Sequence, residues 1–581
     1  MDRHLKETYG KLEVTTWTTP NHWDLIALLL IFIVLALITW GALHMSGNYQ
    51  LGDVITIHLS PRYLPLYALK TTVRLFIGLF LSFICSLIFG TIAAKSHAAE
   101  RLIIPSVDIL QSVPVLSFFS LTATGFIVLF KGKMLGPECA AIFGIFTAQV
   151  WNMILSVYQG IKTVPQELKE AASIFQLSPW QRFWRIEVPF SLPNLIWNMM
   201  ISMSGSWFFV IACEAITVGG VSISLPGIGS YIALAIKEAN VPAIWYAIIC
   251  MLLVILLYDQ LFFRPLLSWV DRFKEQVDTE NDPPASWLIS LFQHTKLWQT
   301  TAQVWLLRIS EFWLNFKWFN LKVVVAPTPT KSTLRVIFNY FFGFLFLSIS
   351  AYLISRSIFT QLPWLEVRHV IFLGFLTCLR VMALIAISAL VWLPIGVAIG
   401  LRPRLTAKIQ PLIQFCAAFP SNLLFPIATT IFLKYNLNIE YWSAPLMVLG
   451  TQWYLLFNVI VGTSQIATDL KLVAQNFQLS GWLWWRRFIL PSIAPSFVTG
   501  AITAAGGAWN ASIIAEVITW GNHTLIATGI GSYIATNFAV GDFARVMLGT
   551  VVMCLFVFLI NRLIWQPLFN YTIAHTSDNE Q

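Results

Sequence analysis

The feature that restricts this chain most is a series of apolar windows, each close to the ~20 residues a helix needs to cross a bilayer. The first, Leu25 to Thr39, continues without a charge to His44. Its length and Trp-rich flanks read as a true span rather than a cleaved signal peptide. Further windows lie near 76–94, 110–130, 138–158, 196–218 and 242–263. After a long gap they resume near 336–354, 381–400, 413–433, 444–462, 497–519 and 545–564. Inside a bilayer every backbone N–H and C=O must be paired within the protein, and a helix does this alone. An all-α integral membrane fold with about 12 transmembrane helices, six and six, is therefore expected. Composition agrees. Of 581 residues 57% are hydrophobic and 11% charged, against roughly 25% charged in a soluble protein. An ordinary soluble enzyme and a disordered chain are both excluded. The seven Cys lie mostly in apolar runs without a CxxC pair, which suits small apolar filler.

The two sets of windows are copies of one another. At a shift of 302, Trp151 meets Trp453, Gly160 meets Gly462, and Gln176-Leu177-Ser178 meets Gln478-Leu479-Ser480. Pro189 and Pro193 meet Pro491 and Pro495, Trp207 meets Trp509, and Glu214 meets Glu516. Gly227–Ala233 returns intact as Gly529–Ala535. Upstream the shift is 306, pairing Arg74 with Arg380, Gly90 with Gly396, Pro105 with Pro411 and Pro114 with Pro420. The chain is a fused tandem duplication. With an even number of spans each, the copies should share one orientation and pair about an axis along the membrane normal.

The expected organisation is a first half over 1–263, with an extra span at 25–43 and a core from about 66, and a second half over 336–581, with a core of about 370–565. Between them, 264–335 reads as a cytoplasmic or interfacial linker. Trp298, Trp305 and Phe312 recur every seven residues there, with Lys296, Arg308 and Lys317 between them. That pattern suits an amphipathic helix lying at the membrane surface, or one packed against the bundle. Most of the 36 Lys and Arg fall on one side of the membrane if both termini are cytoplasmic, which sets the expected orientation. The net charge of +9 is explained in the same way, without a nucleic-acid partner.

The longest loop within each half, on that basic side, is also among its best-matched stretches. In the first half it contains Glu167, Glu170-Ala171-Ala172, Phe175, Gln176 and then Ile186, Val188 and Pro189. This resembles the EAA loop of the binding-protein-dependent ABC importer permeases: EAA, three residues, Gly, nine residues, I-x-L-P. Gln176 departs from it, standing where the family usually has Gly. The second loop is more divergent: Leu472-Val473-Ala474 replaces EAA, Phe477 and Gln478 follow, and Phe488, Leu490 and Pro491 close it. Asp469 stands at the counterpart of Glu167. The resemblance implies type I importer topology and that these residues couple the chain to a separate cytoplasmic ATPase, two copies of which would bind ATP and Mg. It also implies a periplasmic or lipoprotein solute-binding protein on the far side, in a bacterial inner membrane. Segments 183–216 and 486–518 look most like the nitrate, sulfonate and taurine branch, so a small anion such as nitrate, sulfonate, taurine or bicarbonate is the expected cargo.

This chain has no Walker A pattern, since Gly132-Lys133 is followed by Met134 and the upstream Gly is missing. It is read as a transport subunit and not an enzyme, without a cofactor or metal site of its own. For the pathway, intramembrane charges and matched polar groups are the candidates: Glu214, Glu516, Trp207, Trp509, Asn198 and Asn510. The alternative for the two Glu is a structural pairing with Arg74 and Arg380, and for the two Trp ordinary packing. Gly227–Ala233 and Gly529–Ala535 are expected to form outer re-entrant turns. The rival functions are a fused permease of the iron(III) or thiamine type and, further off, an ion-driven secondary carrier.

Overall fold

The computed structural model describes residues 56–130, 133–218, 221–270, 287–295 and 362–577, with Ile26 and Leu29 besides. The spans expected at 25–43 and 336–354, and the heptad aromatics Trp298, Trp305 and Phe312, lie outside the described residues. The chain divides into two compact units. One comprises 1–40, 164–193 and 259–325, and the other 41–163, 194–258 and 326–581.

Among the described residues the first half consists of α1 (Leu64–Lys95), α2 (His97–Ser112), α3 (Val115–Leu129), α4 (Leu135–Lys162), α5 (Gln166–Ile174) and α6 (Pro179–Glu214). A hairpin of β1 (Ala215–Val218) and β2 (Val221–Ser224) follows, then α7 (Ile228–Lys237) and α8 (Val241–Val270). A short α9 (Trp287–His294) packs against the end of α8. The second half repeats the order: α10 (Trp364–Gly400), α11 (Pro403–Ala418), α12 (Ser421–Lys434), α13 (Ile439–Leu449), α14 (Gln452–Ser464), α15 (Thr468–Asn476) and α16 (Gly481–Ala515). The hairpin of β3 (Val517–Trp520) and β4 (His523–Ile526), then α17 (Ile530–Val540) and α18 (Phe543–Thr572), complete it. Seven of the described helices are long and apolar enough to cross a membrane, or nine elements if each bent pair is one span.

The structure departs from the expected spans where the sequence places breakers. The window 110–130 is split at Val113–Pro114, and 413–433 at Phe419–Pro420, where the α11–α12 pair bends by 72°. The residue before proline is pushed into the extended region, and Val113 and Phe419 both adopt it. The window 444–462 is bent by 43° between α13 and α14. There Gly450 lies so near α12 that an added Cβ would come within 2.5 Å of Ser421 Oγ. Its first-half counterpart α4 runs unbroken over 28 residues.

The all-helical expectation is interrupted twice by short antiparallel hairpins, with Ala215 opposite Ser224 and Val517 opposite Ile526. Val, Ile and Thr dominate these strands, and β-branched residues suit the pleat. The segments expected as re-entrant turns, Gly227–Ala233 and Gly529–Ala535, instead open helices α7 and α17.

Within the second unit the two halves interlock. Thr550 Oγ1 donates to Ser117 O at 2.9 Å, and Asn422 Nδ2 to Phe208 O at 3.3 Å. Trp197 stacks on Phe457 with centroids 5.6 Å apart. Leu116 and Phe208 of the first half join the core of the second beside Phe425 and Trp509. Gly521, at the turn of the β3–β4 hairpin, donates its N–H to Ile236 O of α7 at 2.9 Å.

Candidate functional site

Two kinds of site emerge, each built twice. The first is the loop helix. In α5, Glu167 sits in the first turn, where an acidic side chain complements the helix dipole. The helix ends in a Schellman closure: Leu177 N–H bonds to Ala172 O at 3.0 Å and Gln176 N–H to Ser173 O at 3.1 Å. Helix α15 ends alike, with Leu479 N–H on Ala474 O at 3.1 Å and Gln478 N–H on Gln475 O at 2.9 Å. This closure needs a left-handed residue, and Gln176 and Gln478 both stand there with φ of 49°. The departure from Gly therefore retains the turn and strains it.

Exposure sorts the remaining loop residues. Phe175 is 63% exposed and Phe477 75%. Glu167, Glu170, Asp469 and Pro491 are exposed, and Ala171 and Pro189 half-buried. Ala172 and Ala474 are buried within the chain, so their small size serves internal packing rather than the approach of a partner. Ala474 lies in a cluster with Val397, Val459, Phe488 and Ile489. The loops also differ. Arg182 and Glu187 form a 3.1 Å ion pair in the first, and Trp484 and Ile489 occupy those places in the second. Leu470, Leu472, Val473, Trp482 and Leu483 add exposed apolar surface to the second loop. At the end of α4, just before the first loop, Tyr158 OH and Lys162 Nζ donate to Glu100 of α2 at 2.5 Å and 3.0 Å. These bonds, Tyr158's first, pull the Glu100 carboxyl down to about 2.

The second kind of site is a buried polar lock at the hairpin end. Arg74 is fully buried and forks onto Glu138, Nε–Oε2 at 2.6 Å and Nη2–Oε1 at 2.7 Å, while its Nη1 reaches Glu214 Oε1 at 2.7 Å. Glu214 also accepts from Thr71 Oγ1 and from Gly229 N–H, both at 2.7 Å. It is thus the anion at the N-terminus of α7, a place that favours negative charge. Gly227 is required by this contact: an added Cβ would lie 2.3 Å from the Glu214 carboxylate. The second half repeats the lock with Arg380 on Glu440 and Glu516, and with Thr377 Oγ1 and Ser532 N–H donating to Glu516. An Arg–carboxylate fork is among the stronger hydrogen-bonded pairs.

The structure therefore brings Glu214 and Glu516 together with Arg74 and Arg380. Trp207 and Trp509 are fully buried, and Trp207 packs on Tyr258 at 5.6 Å. Asn198 bonds back to Asn194 in its own helix. Asn510 Nδ2 bonds to Gly506 O, and its buried Oδ1 has no partner among the described residues. Sequence reasoning missed Glu138, Glu440, Thr71 and Thr377. The signal was present, since Glu138 and Glu440 match at the shift of 302, and Thr71 and Thr377 at 306.

Residues 86–264 and 391–566 both match the family described as binding-protein-dependent transport system inner membrane component. Together these stretches make up more than half the chain. The protein belongs to this family. It is an ABC transporter permease, a multi-pass inner-membrane transport subunit, and its two matches are the two halves of the duplication. The permease is 27% identical to the nitrate import permease of Leptolyngbya laminosa over 188 residues, 32% of this chain and 62% of that protein. It is 27% identical to the bicarbonate transport system permease of Synechococcus elongatus over 248 residues, 41% of this chain and 86% of the relative. A trimethylamine N-oxide transport system permease of Pelagibacter ubique is 26% identical over 192 residues, 33% of this chain and 24% of that protein. The alignment with the nitrate permease thus falls short of two thirds of that relative. Family membership displaces the secondary-carrier alternative.

Two outcomes follow for the permease. Replacing Gln176 or Gln478 by Gly should relieve left-handed strain and stabilise the loop by about 0.5–1 kcal/mol, read as a small rise in thermal midpoint. Replacing either by Val should lower it. Arg74→Gln strands buried Glu138 and removes one partner of Glu214, and should cost about 3–5 kcal/mol, seen as lost yield of folded protein in detergent.

Proposed function

We propose that this permease forms the translocation path of an importer for a small anion of the nitrate or bicarbonate class. Two ATPase subunits would dock on α5 and α15, and a solute-binding protein would deliver cargo at the hairpin end. The loops and both termini would then be cytoplasmic and the hairpins periplasmic, with 1–263 and 336–581 as the transporting halves and 264–335 as the linker. The observation that carries this reading is the pair of loop helices, closed by the same backbone geometry, each with an acidic first turn at one end and an exposed Phe at the other. The cargo class is supported by the nitrate and bicarbonate relatives.

Such a helix can seat in a partner's cleft and pass on the partner's motion as a rigid body. Phe175 and Phe477 would fill the apolar part of each cleft, and Glu167, Glu170 and Asp469 its polar rim. The second loop lacks the counterpart of Glu170 and carries more apolar surface, so its contact would be the less polar of the two. Buried aromatic anchors at interfaces are commonly worth ~2 kcal/mol or more.

Co-purification from the native membrane, with ATP hydrolysis assayed on the material recovered, is the direct test. An ABC ATPase should accompany the chain. Phe175→Ala and Phe477→Ala should each weaken its retention by roughly tenfold or more, and Glu170→Lys should reduce transport per ATP hydrolysed. Retention unchanged in the double Phe variant would remove the loops from the coupling role.

A further inference from the structure

The lock at the hairpin end is built twice from the same Thr, Arg and two Glu side chains, and the two copies differ in what lies beside them. The residue before the first glycine of the repeated Gly-Ile-Gly is Pro226 in the first half and Thr528 in the second. Proline has no N–H to offer. Glu138 gives both its oxygens to Arg74. Thr528 brings two donors, its N–H at 2.8 Å and its Oγ1 at 2.6 Å, and both fall on Glu440 Oε1. One oxygen of Glu440 is thereby diverted, and Arg380 keeps a single bond to the other, Nη2–Oε2 at 2.5 Å. The contact with the capping carboxylate lengthens too, from 2.7 Å for Arg74–Glu214 to 3.3 Å for Arg380–Glu516.

The cover over the second lock is also thinner. Tyr67, Leu225 and Leu234 of the first half are matched by Leu373, Ala527 and Thr536. These smaller residues line a cavity of about 220 Å³ together with Thr528, Gly529 and Ser532. Arg74 and Glu138 are 0% and 3% exposed in their side chains, whereas Arg380 and Glu440 are 15% and 34% exposed.

We infer that the first lock is a fixed anchor and the second a latch that opens during transport, with Thr528 as the positioning residue that lets it open. The reason is the cost of stranding a buried charge. If Arg74 withdrew, Glu138 would lose both its bonds from Arg74. If Arg380 withdrew, Glu440 would keep two donors from Thr528, and Glu516 would keep Thr377 and Ser532. The second half can therefore separate its arginine from its carboxylates without leaving either carboxylate bare. The cavity lies against Thr528 and Gly529, so the segment that holds the latch is itself loosely covered. The latch itself stands on geometry, and its place in a transport cycle rests on the proposed function above.

Hydrogen exchange read by mass spectrometry on the full chain in lipid nanodiscs, with whatever ATPase co-purifies, separates the two halves. Amides of 529–536 should exchange about tenfold faster than those of 227–234, in line with local opening. Thr528→Pro should bring the second segment to the rate of the first, and Pro226→Thr should speed the first. Thr528→Val keeps the N–H and removes the hydroxyl, so it should fall between, and it guards against a proline variant that fails to fold. Equal exchange in the two halves, or no slowing in either Thr528 variant, would overturn the latch. The second reading is ATP turnover by the assembled complex, which Thr528→Pro should lower severalfold. Slower exchange with unchanged turnover would also overturn the inference, and a retained ATPase would then leave the importer reading standing. Should no ATPase accompany the chain, that reading fails, and the exchange rates still decide the latch.

Discussion

At the hairpin end of each half, one arginine is held between two carboxylates, fully buried in the first half and partly exposed in the second. Arg74 ties α1 to α4 through Glu138 and to the end of α6 through Glu214, and Glu214 in turn caps α7. Four helices thus share one ionic centre. A guanidinium that withdrew would leave charge in an apolar medium, so the helices are fixed relative to one another far more firmly than apolar contact alone would achieve. The hairpins, the glycines of the Gly-Ile-Gly repeat and the short helices after them are arranged around this centre. Gly227 and Gly529 are glycines because the carboxylate occupies the space a Cβ would need.

The loop end follows a different economy. No ionic centre of that kind is found there among the described residues. The loop helices are held by a backbone closure and by an inward-facing alanine, and they leave large aromatic and aliphatic side chains uncovered. A helix with a well-defined end and an exposed aromatic side chain is suited to transmit force to another protein. Duplication then allows divergence. The first loop keeps an ion pair and Glu170, the second has apolar groups at those places while retaining Asp469, and the locks diverge at Pro226 and Thr528.

Much of this was legible in the chain. The apolar windows, the two shifts of 302 and 306, and the position of the loop motif placed the fold, the halves and the candidate coupling residues. They did so because membrane spans, repeats and helix ends are local properties, written in consecutive residues. The windows were weakest at Pro114, Pro420 and Gly450, where hydropathy counts apolar residues and ignores the backbone.

The tertiary structure decided what depends on residues far apart. The sequence suggested Arg74 as a partner of Glu214, but Thr71, 143 positions away, and Glu138 as the second carboxylate of Arg74 came only from the fold. The inward turn of Ala172 and Ala474, where the motif suggests a surface for a partner, is a matter of which helix face is packed. The left-handed conformation of Gln176 and Gln478 is set by the closure of the loop helix rather than by glutamine's own preference. The unequal strength of the two locks arises because a proline and a threonine meet two different carboxylates in space. Sequence alone determined that the chain is a doubled membrane bundle whose loops resemble the EAA motif of ABC importer permeases. Only the folded chain decided which charges find each other, because burying a charge is settled by neighbours brought from elsewhere in the chain.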